Sequence, residues 1–591
     1  MSTYIRLTDY KDSDSKEQGF FKSENRYEAK QDDFEKIPGS PIAYWVSSDF
    51  AKKFSITKTS DVADTRLGMA TADNDKFLRF WSEVSLEKMG MVFSNRDDAR
   101  ESSFKWFPYQ KGGEFRKWYG NYEYVVNWEN DGVEIQNFIN PDTGKVRSHN
   151  YNLDYIFKKG ITWNALSSGN TSMRISEYSL FDNAGSSMFL KNENDLLYCL
   201  SLYNTHITPL AIKAVSPTLN YQPGDIAKIP ISFPKQESTK QAIDTITQEC
   251  IDISKEEWDS RETSWDFTKN ELLKHNLDSK IETAYNNYCQ VWSEKFYKLH
   301  ANEEELNKLF RDIYELNDEL TPDVDLKDIT ILKSESIINE DKNIEFKADE
   351  IMKQFISYAV GVMFGRYSLD KDGLQIANLG SEILISQMTD ETKVSFPIDD
   401  DNVIPVLEDD YFSDDIASRV INFVKTTFGS ESLSENINFI EKCLGKTIRA
   451  YMVKDFYEDH IKRYKKRPIY WMVSSPKKGF MSLSYMHRYT NDLFARVQNN
   501  YLREYITKLE GTKEIQKQTI LNENATNKDK NEADKRIKNI ELKLKELISF
   551  DRDNLTSFAQ NRVDIDLDDG VKVNYNKFKD VLYIIKGLDK E

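Results

Sequence analysis

The stretch from Ile461 to Arg488 concentrates positive charge in a chain that is acidic as a whole. It contains eight Lys and Arg residues and no Asp or Glu, whereas the formal net charge of all 591 residues is −18. Its cations are Lys462, Arg463, Lys465, Lys466, Arg467, Lys477, Lys478 and Arg488, and its aromatic residues are Tyr464, Tyr470, Trp471, Phe480 and Tyr485. This mixture is typical of surfaces that bind a phosphate backbone, so double-stranded DNA is the leading predicted partner. The alternative is a solvated basic face whose rings point into a core.

Residues 100–120 form a second aromatic and basic stretch, with five cations against two glutamates and seven aromatic residues between them. Gly112-Gly113 predicts a turn at which the backbone can approach a phosphate, and the amides of Asn127, Asn130 and Gln136 suit the edge of adenine. The residues predicted here to contact DNA are Lys105, Trp106, Lys111, Arg116, Lys117, Trp118 and Asn127. The alternative is that Trp106, Trp118 and Trp128 simply belong to the core.

Catalytic signatures are nearly absent from the sequence, which has no GxGxxG or Walker A loop, no GxSxG elbow and no HExxH helix. One short pattern, Asp323 followed by Glu345 and Lys347, is similar to the motif of the PD-(D/E)xK nucleases. Such enzymes hold Mg²⁺ with carboxylates on adjacent strands, whereas these residues are predicted on an exposed polar connector. A nuclease is therefore the least favoured hypothesis, and no catalytic residue is predicted.

No metal site is predicted either. The acidic residues between 399 and 415 are interpreted as helix caps or a solvated rim. The four cysteines and six histidines are dispersed, which gives no support for a disulfide framework or a zinc site.

Length and composition predict several domains of mixed structure. A chain of 591 residues and 69.0 kDa is too long for one core of ordinary size. Neither a signal peptide nor a long apolar run occurs, so a cytoplasmic protein without membrane contact is expected. The predicted class is α+β, a strand-rich domain followed by a largely helical region with a helical hairpin. The predicted divisions are 1–54, 55–235, 236–350, 351–490 and 491–591.

Periodicity places the elements within these divisions. Alternating large residues from Tyr122 to Trp128 predict a strand, closed by a turn at 130–132. Helices are predicted over 238–275, from Asp278 with a capping box of Ser279 and Glu282, over 302–319 and over 350–367. The second of these helices has a buried stripe of Ile281, Tyr285, Tyr288, Trp292, Phe296 and Leu299. In the last hundred residues, 522–534 is the predicted tip of a hairpin.

At these residues a family resemblance becomes specific. KWFPYQKGGEFRKWYGNYEYVVNWENDG, with GSPIAYWVS before it and MFGRYSLDKDGL, YKKRPIYW and DLDDGVKVNY after it, resembles the C-terminal half of the PglX family, the adenine-specific DNA methyltransferases of type 1 BREX phage-defence systems. The resemblance covers essentially the whole chain in the family's order. Residues 1–54 resemble the end of the catalytic domain, and the region from RLGMATADNDKF to NYQPGDIAKIPI resembles a target-recognition domain.

The resemblance implies methyl transfer from S-adenosylmethionine to N6 of adenine in duplex DNA. Family members hold the donor with a glycine-rich loop and the flipped adenine with an NPPY-type motif, and this sequence has neither. No catalytic residue can be carried over, so we expect no cofactor in this chain and the donor in a separate catalytic half. Such a half and other BREX proteins are expected partners. A DNA-binding or defence-complex protein without any methylation is the alternative.

Overall fold

A computed structural model describes residues 1–165, 172–216 and 221–588. Helices account for 49% of the chain and strands for 12%, in several small sheets. The predicted α+β class is therefore confirmed. None of the described helices combines the length and the apolar composition needed to cross a lipid bilayer.

The first 54 residues form a small antiparallel strand pair and short helices. Their elements are β1 (Ser2–Ile5), α1 (Ser13–Phe20), β2 (Arg26–Ala29), α2 (Gln31–Phe34) and α3 (Ser48–Lys53). The side chain of Ser47 accepts a hydrogen bond from the amide of Phe50 and so caps α3. Phe50 and Phe54 are buried in the largest core cluster, which ties this segment to the rest of the molecule.

Residues 59–226 contain two four-stranded sheets and short helices. The strands are β3 (Ala63–Arg66), β4 (Leu78–Phe80), β5 (Trp106–Gln110), β6 (Tyr124–Asn127), β7 (Gly160–Trp163), β8 (Met173–Ser176), β9 (Leu180–Phe181) and β10 (Ser187–Leu190). The helices are α4 (Thr59–Val62), α5 (Asn74–Phe77), α6 (Arg96–Glu101), α7 (Glu129–Gln136), α8 (Leu196–Asn204), α9 (Ile207–Val215) and α10 (Pro223–Ile226). The sheet orders are β3-β10-β7-β8 and β4-β6-β5-β9, and only the β5–β9 pair is parallel among these described strands.

The predicted strand and turn after Tyr122 are both present. Strand β6 pairs with β4 and β5, and Val125 and Val126 on its opposite faces are fully buried. Asn130, Asp131 and Gly132 take left-handed φ angles of 52°, 61° and 68° at the start of α7. A side chain at Gly132 would collide with the Trp128 ring at 2.4 Å, so this turn requires glycine there.

The middle of the chain is mainly helical. Its elements are α11 (Glu237–Asp259), α12 (Glu271–Lys274), α13 (Ile281–Tyr314), β11 (Ser336–Ile338), β12 (Ile344–Phe346) and α14 (Ala348–Met363). The predicted stripe on α13 is buried apart from the half-exposed Tyr285. The predicted break near residue 300 is wrong, because α13 is one continuous helix of 34 residues that includes this position.

The predicted capping box at Ser279 is also wrong. Ser279 has a φ of 63°, and the helix begins two residues later. The first amide of α13, that of Ile281, donates to the side chain of Asn436 at 2.8 Å instead. A tertiary contact thus replaces the local cap.

The C-terminal third combines a small sheet with helices. Its first part has α15 (Glu382–Met388), β13 (Ile404–Pro405), α16 (Ile416–Phe428), α17 (Leu433–Leu444), α18 (Ile448–Lys454), α19 (Phe456–Arg463), β14 (Tyr470–Ser474) and β15 (Met481–Tyr485). The order in this sheet is β13-β15-β14, and both pairs are antiparallel. The last part has α20 (Leu493–Arg496), α21 (Arg503–Leu521), α22 (Asn527–Phe550), α23 (Thr556–Asn561) and α24 (Gly570–Asn576).

Helices α21 and α22 form the predicted hairpin. Its tip is shorter than predicted, because Thr526 caps α22 and residues from Asn527 onward are helical. One continuous core cluster contains residues from all five predicted divisions, such as Phe50, Trp163, Trp292, Trp471 and Leu547. The predicted division boundaries stay a prediction.

Candidate nucleic-acid interface

The turn after α19 presents the most accessible lysines of the basic stretch 461–488. Lys462, Lys465 and Lys466 are exposed, and Lys465 and Lys466 have left-handed φ angles of 49° and 65°. Lys465 pairs with Glu123 at 2.5 Å, while Arg467 is partly covered and lies 3.7 Å from Glu83. The strained turn therefore directs successive lysine side chains toward solvent.

The turn between β14 and β15 presents two more lysines, Lys477 and Lys478. Glu546 on α22 anchors this turn by accepting hydrogen bonds from the Ser475 hydroxyl and the Lys477 amide, both at 2.6 Å. The Lys478 ammonium donates to the Tyr583 hydroxyl at 2.8 Å. A side chain at Gly587 would lie 3.2 Å from the Lys466 ammonium.

The segment from Tyr583 to Gly587 therefore lies against both lysine turns. We call Lys462, Lys465, Lys466, Lys477 and Lys478 the basic surface.

The aromatic residues of the same stretch are core residues. Tyr464, Tyr470, Trp471, Phe480 and Tyr485 are each no more than 5% exposed. The expectation that these rings lie at a docking surface is thus wrong. The alternative, a basic face whose rings point into the core, agrees with their burial. Sheet formation explains this, because β14 and β15 are covered on both sides.

Two arginines of this stretch also have internal partners. Arg488 is buried and donates to the backbone oxygens of Phe364 and Asp400 at 3.4 and 3.2 Å. Arg463 donates to Glu262 at 3.1 Å. The prediction that Arg463 and Arg488 contact DNA stays untested, but neither side chain is free in this conformation.

The cations of the first stretch, residues 100–120, are mostly paired with distant carboxylates. Arg116 donates to Glu257 at 2.6 Å, and Lys117 donates to Glu303 at 2.6 Å. The Trp118 indole donates to the other oxygen of Glu303 at 2.8 Å. Lys117 and Trp118 are buried, so these contacts fix the chain rather than face solvent.

Asp568 gathers a second set of these predicted residues. It accepts hydrogen bonds from the Lys105 ammonium at 3.0 Å and the Trp106 indole at 2.9 Å, and it also pairs with Lys88 at 2.9 Å. Burial raises the pKa of Asp568, but these donors outweigh it and hold the pKa below its usual value. Asp568 therefore joins the C-terminal segment to the strand-rich region.

The remaining predicted residues of this region are half-buried or buried. Lys111 lies 3.9 Å from Asp182, and burial lowers the pKa of its ammonium. Asn127 is buried and donates to Glu134 at 3.0 Å, while Gln136 donates to the Asp131 carbonyl oxygen at 2.5 Å. Trp106, Trp118 and Trp128 belong to the core, as in the alternative stated for them.

A cleft of about 620 Å³ brings the two stretches together. Its walls come from residues 114–123, 257–270, 330–334, 347–358 and 459–465. Arg116 of the first stretch and Lys462, Arg463 and Lys465 of the second line it. The sequence predicted both stretches but contained no signal that they would share one cavity.

A buried ionic network supports one wall of the cleft. Arg261 donates to Glu257 and makes a two-pronged contact with Glu335, which also accepts from Tyr288 at 2.5 Å. Burial raises the pKa of Glu257, but Arg116 and Arg261 outweigh this effect and hold the pKa at about 2. Glu257 is therefore a fixed negative charge at any physiological pH.

The acidic run at 399–415 places one group within metal-ligand reach. This group is Asp399, Asp400 and Asp401, whose ligand atoms lie within 4.8 Å of one another. In the described part of the chain, no other three His, Cys, Asp or Glu residues come this close together. Arg419 lies 4.0 Å from Asp399, and the Tyr501 hydroxyl donates to Asp401 and Asp414 at 3.1 and 2.9 Å. A cation or a hydroxyl donor thus already partners Asp399, Asp401 and Asp414.

The residues of the nuclease pattern lie on a polar connector and on or next to a short strand. Asp323 is exposed and accepts from the Thr321 hydroxyl at 2.6 Å, whereas Glu345 lies on the short strand β12. Among the residues described, these carboxylates do not appear in any group close enough to hold a metal.

Several residues that organise this region were missed by sequence reasoning. Glu257, Glu303, Glu335 and Asp568 each neutralise a cation, yet none forms a motif with its partner. The separations explain this, since Lys117 and Glu303 are 186 residues apart and Lys105 and Asp568 are 463 apart.

The chain is homologous to adenine-specific methyltransferases over nearly its whole length. It is 39% identical to the adenine-specific methyltransferase PglX of Lacticaseibacillus casei (strain Zhang) over 605 aligned residues, which cover 98% of this chain and 48% of the relative. It is 34% identical to the adenine-specific methyltransferase BrxX of Escherichia coli O9:H4 (strain HS), over 94% of this chain and 46% of the relative. The chain thus spans about half the length of these curated relatives. A comparison with protein-family models finds no match.

Proposed function

We propose that this chain is the sequence-recognition and helical part of a site-specific N6-adenine DNA methyltransferase of the BREX type. The observation that carries the proposal is the homology to two adenine-specific methyltransferases across 98% and 94% of this chain. The sequence has no NPPY-type motif or glycine-rich donor loop, which supports a role in choosing DNA rather than in methyl transfer.

The basic surface is the proposed contact with duplex DNA. Four of its lysines stand on two turns and Lys462 lies at the end of α19. Among the described residues, Lys462, Lys466 and Lys477 have no carboxylate within ion-pair distance. Lysines on mobile stems bind phosphates without reading sequence, so this surface supplies affinity. The strand-rich region 55–235 is the proposed reader of sequence, with Lys105 and Lys111 as its partly accessible cations.

S-adenosylmethionine and the reacting adenine are assigned to a catalytic part with which this chain cooperates. Other BREX proteins are further proposed partners, and the site of action is the cytoplasm, where chromosomal DNA is available. The proposal includes no metal and no membrane contact.

The proposal is tested with the purified chain in two assays. Calorimetry with S-adenosylmethionine should show no saturable binding at micromolar levels, and plasmid DNA should gain no methyl groups. Fluorescence anisotropy with a labelled duplex should show binding that weakens as salt rises. Methylated adenine from the chain alone would contradict the division of labour, and a chain that binds no duplex at low salt would contradict DNA recognition.

A further inference from the structure

The cleft between the two basic stretches contains lysines that no carboxylate neutralises. Of the cations lining it, Arg116 pairs with Glu257, Arg463 with Glu262 and Lys465 with Glu123. Lys333, Lys347 and Lys462 also line it, and within the described chain none of them has a carboxylate oxygen within 4.0 Å. Lys347 donates only to the backbone oxygen of Ser334 at 3.2 Å. The Lys333 ammonium likewise donates to the backbone oxygen of Lys327, and the carboxylates of Glu114, Glu350 and Asp459 also line the cleft. Three ammonium groups without an ion-pair partner around one cavity favour a ligand with an anionic group.

One buried acceptor of the cleft, Glu262, has an oxygen without a hydrogen-bond partner. Glu262 is 8% exposed, and its Oε1 accepts from the Ser357 hydroxyl at 2.5 Å and from Arg463 at 3.1 Å. Its Oε2 is buried without any hydrogen-bond partner. A buried carboxylate oxygen left unpaired is costly, so the cleft favours a ligand that donates an N–H group there.

The cleft also has aromatic surface. Phe115 is an exposed ring at its rim, and the half-buried Trp258 lies in the wall with the Arg116 guanidinium 5.1 Å from its ring centre. Planar ligands stack on such rings and on guanidinium planes. The volume of about 620 Å³ lies in the range of small-molecule sites.

We propose that this cleft binds a nucleoside phosphate whose base carries an exocyclic amino group. The phosphate lies among Lys333, Lys347 and Lys462, the base stacks near Phe115 and Trp258, and the amino group donates to Oε2 of Glu262. A nucleotide is the common ligand class that combines a planar ring, an amino donor and a phosphate. The site shares Lys462 and Lys465 with the basic surface, but its base contact at Glu262 does not belong to that surface.

A matched pair of ligands tests the base contact by calorimetry. CMP and UMP share sugar, phosphate and ring size, but only CMP has an amino group at the position that donates. CMP should bind at least about tenfold more tightly than UMP, since a hydrogen bond to a buried charge is lost with UMP. Glu262→Gln should reduce this preference, and because the wild-type comparison needs no variant, a folding defect in Glu262→Gln leaves the test intact.

A matched pair of variants tests the phosphate contact. Lys462→Ala should weaken CMP binding several-fold while leaving cytidine binding unchanged, since cytidine has no phosphate. Lys442→Ala removes an exposed lysine of α17 that neither lines the cleft nor belongs to the basic surface, and it should leave the binding of CMP and of cytidine unchanged. Circular dichroism and melting curves check that both variants fold.

Competition identifies the source of the nucleotide. If single-stranded oligo(dC) displaces CMP and oligo(dT) does not, the ligand is a nucleotide of a DNA strand. If neither oligonucleotide displaces CMP, the ligand is a free nucleotide. The proposal is overturned if neither CMP nor AMP binds at millimolar concentration, if CMP and UMP bind equally, or if inorganic phosphate binds as tightly as CMP.

Discussion

The two basic and aromatic stretches have similar composition but opposite structural roles. In residues 100–120, Lys117 is buried against Glu303 and Arg116 is nearly buried against Glu257. In residues 461–488, the rings are buried but five lysines remain on exposed turns. A mixture of cations and rings therefore does not by itself identify a binding surface, because the cations of one stretch are neutralised by carboxylates from distant parts of the fold.

The difference arises from how each stretch is folded. The first stretch forms the central strand β5 and a loop that packs against α11 and α13, so its cations must either find carboxylates or remain in the interior uncompensated. The second stretch forms the two-stranded unit of β14 and β15, whose ends and turn reach the surface. The lysines at the turns stay hydrated, whereas the strand residues, Tyr464 and Arg488 are buried.

The largest expected effect concerns the buried pair in the first stretch. Glu303→Ala leaves the Lys117 ammonium and the Trp118 indole without their acceptor, and removing one partner of a buried pair costs about 3–5 kcal/mol. The midpoint of urea unfolding should fall accordingly. Lys477→Ala, which removes an exposed lysine, should change stability by less than about 0.5 kcal/mol. An unchanged stability would mean that Glu303 does not hold this stretch in the fold.

The basic surface should show a large effect on binding and little effect on stability. Replacing Lys465, Lys466, Lys477 and Lys478 by Ala should weaken binding to every duplex by at least about tenfold, and the salt slope should fall by roughly 0.9 for each lost phosphate contact. Salt titrations by fluorescence anisotropy measure both quantities. The matched control replaces four exposed lysines of α22, Lys528, Lys535, Lys538 and Lys545, and so removes the same charge. Equal losses in both variants would indicate a nonspecific effect of net charge.

The third prediction concerns the core beneath the basic surface. Burial lowers the pKa of His487 to about 3 and that of His460 well below its usual value, so both are neutral in the folded chain. Below pH 6.5 the unfolded chain takes up protons that the folded chain does not, so stability falls as the pH drops toward 3, by up to about 1.4 kcal/mol per pH unit for each histidine.

Melting curves at pH 7.5 and 5.0 measure this loss. In His487→Gln the difference between the melting temperatures at pH 7.5 and pH 5.0 should shrink, because one of the two buried histidines has been removed. An undiminished difference in that variant would assign the acid sensitivity to other groups.

Sequence periodicity predicted those elements whose stability is local. The stripe of α13, the buried helix α14 and the hairpin of α21 and α22 all repeat apolar residues at three and four, and the structure contains each of them. The helix start at Ile281 was missed because its cap comes from Asn436, 155 residues away. The cleft was missed for the same reason, since Glu262 and Arg463 meet across 201 residues and no local pattern records such a contact.

The smallest expected effect is on sequence preference and concerns Lys111, which keeps 24% of its side chain exposed near Asp182. Because it lies in the proposed reading region, Lys111→Ala should reduce the ratio of cognate to random affinity a few-fold while changing random binding less than about twofold. The cognate duplex is first selected from a randomised pool with the wild-type chain, and both duplexes are then titrated with each variant.

Lys159→Ala, which removes an exposed lysine paired with Glu177 in the same region, should leave the ratio unchanged. Equal weakening on both duplexes would make Lys111 a phosphate contact like the basic surface. An unchanged ratio would mean that Lys111 takes no part in sequence reading.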